Sequence, residues 1–122
     1  MKLIQSLAVS LGFVFTLASG AFAQSAANYP DKPIKIIVSF TAGGTTDILA
    51  REVGNQMSIR WKVPVVVENK PGAAGNLGTE IVGRAAPDGY TLLASSIGPI
   101  SINPTLFGNL PVNPQKALQP VA

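Results

Sequence analysis

The sequence predicts an α/β fold built on a parallel sheet, and three observations predict it. Short runs rich in β-branched residues alternate with segments whose apolar residues recur every four positions. Connections bearing glycine or proline separate each run from the next. Alternation of this kind implies parallel strands joined by right-handed crossovers, with helices covering the sheet.

The elements read in the order β-α-β-α-β. Residues 34–40 hold Ile34, Ile36, Ile37, Val38 and Phe40 behind Pro30 and Pro33, a first strand bounded by breakers. Gly43 and Gly44 follow directly. From Thr46, Leu49, Val53 and Met57 are spaced by four with Ile48 alongside, while Arg51, Glu52, Asn55 and Gln56 face elsewhere. This predicts an amphipathic helix with the apolar set toward the core. Residues 63–67 are apolar except for Pro64, which predicts a buried second strand with its proline near the start, where a missing donor is tolerated. Leu77, Ile81 and Ala85, with Val82 beside them, predict a second helix that starts near Asn76 and stops before Pro87. Pro87, Asp88 and Gly89 form a turn, and residues 90–94 are the third strand. Five of the ten prolines fall after Ser95, so that stretch reads as irregular connection with one short helix around residues 105–107.

Composition narrows the function. The chain has 122 residues, 47% of them hydrophobic and 12% charged, with neither Cys nor His. One modest domain is the most it can build. Disulfides, thiolate or imidazole zinc sites, a Cys nucleophile and a Ser-His-Asp triad are excluded within this chain. Its formal charge of +3 is spread without a run of basic residues, unlike a surface that tracks nucleic-acid phosphates. Lys2, the apolar stretch at 7–18 and Ala21-Phe22-Ala23 have the layout of a cleaved secretory leader ending at residue 23. About a dozen apolar residues fall short of the roughly twenty a membrane span needs. The expected product is an exported segment, residues 24–122, with no Cys after the apolar stretch to carry a lipid.

Parallel strands deliver the loops at their carboxyl ends to one edge, so residues 41–45, 69–76 and 95–101 become neighbours. Ligands of open α/β sheets bind there. Two of these loops open helices, whose unpaired N–H groups and positive dipole end favour an anion. Gly43, Gly44, Gly72 and Gly75 let backbone approach a ligand, and Thr41, Thr45, Thr46, Asn76, Ser95 and Ser96 add hydrogen-bonding side chains. Phe40 adjoins the first glycine loop as a wall. A purely structural use of the same residues is also open. Thr45 or Thr46 would cap the helix, Asp47 would favour its first turn, and Asn76 would cap the second helix. For Asp47 alone, capping outweighs ligand contact. The convergence of three loops favours a site that is polar, uncharged and rich in donors. Among the basic residues only Lys70, in the second glycine loop, merits testing as a ligand contact; Trp61 is expected to pack.

Nucleotide and acyl-transfer signatures are missing. Neither glycine loop supplies the Lys of G-x-x-x-x-G-K-[ST]; Gly72, Gly75 and Gly78 do not have the spacing of G-x-G-x-x-G; no G-x-S-x-G surrounds Ser95 or Ser96.

Three spaced motifs, YPDKPIKIIVSFTAGGTTD at 29–47, VVENKPGAAGNLG at 66–78 and APDGYTLL at 86–93, with the Asn103-Pro104 pair, resemble the Bug receptors. These are periplasmic substrate-binding proteins of tripartite tricarboxylate transporters. The resemblance covers essentially the whole segment after the leader. It implies a periplasmic binding protein-like fold of type II, a two-lobed hinged receptor of which this chain is a truncated N-terminal lobe. It also implies capture of a small carboxylate without catalysis, metal or cofactor, delivery to membrane transporter subunits, and a monomer. By the same resemblance the ligand carboxylate is held through backbone groups and ordered waters of the loop Phe40, Thr41, Ala42, Gly43, Gly44 and Thr45, with Asp47 just beyond. Gly75, Asn76, Ser95 and Ser96 are secondary candidates. The family often has Pro where Ser39, Thr41 or Ala42 stands. Two other readings are a nonfunctional remnant that folds poorly and a fragment of a nucleotide-binding α/β enzyme, against which the leader counts. One lobe alone is expected to bind weakly or not at all. A micromolar ligand needs about −8.2 kcal/mol, and three or four charged hydrogen bonds of roughly 1.5–3 kcal/mol each must first offset ordering costs of about 4–15 kcal/mol.

Overall fold

A computed structural model describes residues 29–121. The expected leader at 1–23, and the boundary after it, lie outside the described residues. Strand β1 (Ile34–Val38) leads through a glycine loop into helix α1 (Thr45–Trp61), then β2 (Val65–Asn69), a 3-10 turn (Ala73–Gly75), α2 (Asn76–Gly83) and β3 (Thr91–Ala94). A π-helical turn (Gly98–Ile102) runs directly into α3 (Asn103–Leu106), and α4 (Pro114–Ala117) follows.

The sheet order is β2-β1-β3 with both pairings parallel, as the alternating sequence predicts. Ile34, Ile37 and Val38 are buried because β1 is the central strand. On one face Ile36 and Val38 pack with Ala50 of α1, joined by Phe40, Met57, Val65, Val67, Leu92 and Ala94. On the other face Gly78 of α2 lies against Ser39, the residue that follows β1. At the amino end of the sheet the Tyr29 hydroxyl donates to the Gly89 carbonyl (2.8 Å) and the Tyr90 hydroxyl donates to Asp31 (2.6 Å), which ties the entering chain to the turn before β3.

Four expectations are corrected. Helix α1 exists, but it buries Asp47, Ala50 and Gly54, while Leu49 and Val53 are 60% and 54% exposed and Ile48 also faces out. A Cβ on Gly54 would stand 3.2 Å from Val65 and 3.4 Å from Ile36, so the bulk filling this contact comes from the sheet and the helix contributes its small residues. Helix α2 behaves alike, burying Gly78 and Thr79 and leaving Leu77 and Ile81 exposed. Strand β2 starts two residues later than expected and is a half-buried edge strand. Its ladder begins once Pro64, which has no N–H, has accepted from Ile34 N, and Glu68 and Asn69 extend it by pairing with Ile37 and Val38. Beyond Ser96 the chain is more helical than its prolines suggest, because Pro99, Pro104 and Pro114 fall in the first turns of their helical segments, where no N–H is needed.

Candidate functional site: the rim at the carboxyl ends of the strands

The carboxyl ends of the three strands are level. Val38 is in register with Asn69 on one side and Ala94 on the other. Two further bonds extend the ladder past the strands, from Lys70 N to Val38 O (2.8 Å) and from Ser39 N to Ala94 O (3.2 Å). The three loops therefore share one edge. With strand order β2-β1-β3, the chain leaves β1 and β3 toward different sides, and the gap between their tips is the topological switch point where such sheets take ligands.

The first loop forms the outer lip. Thr41, Ala42, Gly43, Gly44 and Thr45 are all exposed, and Gly43 has φ +83, a conformation that glycine adopts without strain. Gly44 is the N-cap of α1, with extended backbone and no side-chain cap. Neither Thr45 nor Thr46 takes that role, since both lie inside the helix. The first intrahelical bond is Ile48 N to Gly44 O, so the amides of residues 44–47 are orphan donors at the rim among the described residues. Phe40 is half-buried beneath the lip, packed on the core.

Asp47 is buried beneath the lip and is not an exposed ligand contact. Its side chain is almost fully buried, at 4% exposure, and its carboxylate accepts from Gly43 N (2.8 Å), Arg51 Nε (3.1 Å) and Asn69 Nδ2 (2.9 Å). Arg51, with Gly43 and Asn69 next in importance, holds this carboxyl down to about 2 from its ordinary 3.8. The Asp47–Arg51 ion pair (3.0 Å) removes a net negative charge that would otherwise lie under the orphan amides. Asn69 was not among the site residues expected from sequence. It ends β2, donates to Phe40 O (3.1 Å) and accepts from Arg51 Nη2 (3.0 Å), so one side chain joins the first loop, α1 and the tip of β2.

The second and third loops meet the first. Gly75 is buried at φ +88, where a Cβ would collide with Pro99 and touch the Phe40 ring at 3.4 Å. Asn76 is not a cap, because Gly75 occupies the N-cap of α2; the Asn76 side chain instead accepts from Asn103 Nδ2 (2.8 Å). Asn103, also missed as a site-forming residue, donates as well to Ala74 O (3.1 Å) and so ties α3 to the second loop. Ser96 is exposed, whereas the hydroxyls of Ser95 and Ser39 are buried without a partner among the described residues. Lys70 reaches Glu68 at 3.6 Å, and Glu68 is engaged more closely by Lys35 at 2.8 Å; Lys35 foremost holds the Glu68 carboxyl below its ordinary range. Among the described residues no three acidic side chains gather as a metal site requires. A shallow cavity of about 260 Å³ lies along the second half of α1, away from the rim.

The chain matches known proteins in both sequence and structure. Residues 49–122 match the family described as "Tripartite tricarboxylate transporter family receptor". Protein BugT of Bordetella pertussis is 38% identical over the whole chain, which spans 37% of that relative's length. A solved periplasmic transporter is 46% identical with a TM-score of 0.68, over 70% of this chain and 29% of its own. MatC from Rhodopseudomonas palustris, solved with bound malate, is 35% identical with a TM-score of 0.68, over 73% of this chain and 30% of its own. An R. palustris protein solved with adipate is 34% identical with a TM-score of 0.56, over 57% of this chain and 23% of its own. Periplasmic binding protein lobes thus share this three-stranded parallel architecture, and the family is one of solute-binding receptors that carry out no catalysis. By sequence and by fold, the chain belongs to the tripartite tricarboxylate transporter receptor family.

Proposed function

We propose that the rim binds one carboxylate group of a small organic acid in the periplasm, as part of a receptor serving a tripartite tricarboxylate transporter. The observation that carries this reading is the uncapped start of α1 at a level strand edge. Orphan amides around Gly44, Thr45 and Thr46 face an exposed lip, and the nearest carboxylate, Asp47, is turned inward and neutralised by Arg51. Backbone donors and a helix dipole stabilise an anion there without a free cation. Relatives solved with malate and with adipate support a dicarboxylate-sized ligand. Ser96, exposed in the third loop, and the half-buried Phe40 and Asn76 are further candidate contacts, and delivery to membrane subunits follows from family membership.

Amide-resolved NMR titration of the chain with malate and with adipate tests the reading and detects weak binding. Saturable shifts confined to the amides of residues 43–46 and their neighbours across the rim are expected. Absence of any shift at millimolar ligand, or shifts only along the second half of α1, would sink it.

A further inference from the structure

We propose that Asn69 is the positioning residue of the carboxylate-binding lip, fixing the loop whose amides meet the ligand without touching the ligand itself. The proposal builds on the function argued above and adds the device that holds its donors in place. The lip has almost no packing of its own. Residues 41–45 are exposed, a Cβ on Gly43 would find nothing within 4 Å, and one on Gly44 would meet only Thr41 O at 3.6 Å. Its position must therefore come from hydrogen bonds.

Those bonds converge on one side chain. Asn69 Nδ2 binds on either side of the loop, at Phe40 O before it (3.1 Å) and at Asp47 Oδ1 in the first turn of α1 after it (2.9 Å). Asp47 in turn holds Gly43 N through its other oxygen (2.8 Å). Asn69 Oδ1 accepts from Arg51 Nη2 (3.0 Å), which orients the amide so that its nitrogen faces the two acceptors. The anchor is rigid, because Asn69 pairs in register with Val38 of the central strand. An aspartate here would retain the shape, lose both donors and set a second carboxylate against Asp47. Donors held in place before binding lose less freedom when a ligand arrives, so loosening them weakens affinity without removing a contact.

The test compares the full chain with Asn69→Ala by amide hydrogen exchange, malate titration read at residues 43–46, and thermal melting. Exchange at Gly43, whose N–H is held by Asp47, should accelerate, and half-saturation by malate should need roughly tenfold more ligand. Protection of Ile36 and Val38 should persist. Unchanged exchange and affinity at the lip would overturn the assignment, as would loss of protection along β1 in step with the lip, which marks a general structural role. Should Asn69→Ala fail to fold, Asn69→Ser offers the same readouts, since its short hydroxyl cannot span Phe40 O and Asp47 Oδ1 together and the Asp47–Arg51 pair stays in place. A wild-type chain that ignores both malate and adipate defeats the carboxylate reading, while the exchange comparison still decides whether Asn69 fixes the lip.

Discussion

Gly78 of α2 lies so close to Ser39 that a Cβ at position 78 would stand 2.9 Å from the Ser39 Cα, with Lys70 O at 3.2 Å. The helix therefore rests on backbone just past β1, directly beneath the rim. Gly78→Ala should destabilise the fold, because overpacking against backbone costs about 1–3 kcal/mol while the helical preference of Ala returns only roughly 1 kcal/mol. Urea denaturation measures the difference. A variant as stable as wild type would mean that α2 shifts freely across the sheet.

Ser39 itself supplies the opposite sign. Its side chain is buried and its hydroxyl has no partner among the described residues. An orphaned polar group costs about 1–3 kcal/mol, so Ser39→Ala should be neutral or should raise stability by about 1 kcal/mol. Its backbone bond to Ala94 O is untouched by that change. A marked loss in thermal melting would show that the hydroxyl is satisfied after all.

The helix faces show where sequence reasoning stops. Spacing by four located α1 and α2, since any such run is compatible with a helix, but it assigned the core to the largest apolar residues. The sheet presents Ile36, Val65 and Val67, whose bulk already fills the interface, so small residues at 50 and 54 let α1 approach. Gly54→Val tests this. It should lower stability by about 1–3 kcal/mol, since a Cβ alone would meet Val65 at 3.2 Å. Unchanged stability would refute the close approach.

Parallel pairing and the shared edge were legible because alternating β and α elements leave few ways to connect, whereas the order β2-β1-β3 was not. Nor were the cross-links between loops. Asn69 and Asn103 lie 22 and 27 residues from Asp47 and Asn76, the partners they bond, and no local pattern marks such pairs. Asn103 is 5% exposed, so Asn103→Leu would strand Ala74 O and Asn76 Oδ1. A loss of about 1–3 kcal/mol is expected, with faster amide exchange in the turn at Ala73–Gly75. Exchange there at the wild-type rate would release α3 from any part in shaping the rim.

Asp47 gives the pH dependence its sign. In the folded chain its carboxyl titrates at about 2, and without its partners at 3.8. Between those values the unfolded chain takes up the proton and the folded chain does not, so acid favours unfolding. The stabilisation is complete above the upper value, declines as pH falls through this window and is gone below it. Asp47→Asn abolishes the charge at every pH, so at pH 7 it should be less stable than wild type. Glu68 and Asp88, also held below their ordinary range, titrate in both proteins, and the comparison cancels them. The gap between the two urea midpoints should therefore be widest at neutral pH and close as pH approaches 2. A gap that stays constant from pH 7 to pH 2 would show that the carboxylate charge contributes nothing, and that Arg51 leaves it unpaired in solution.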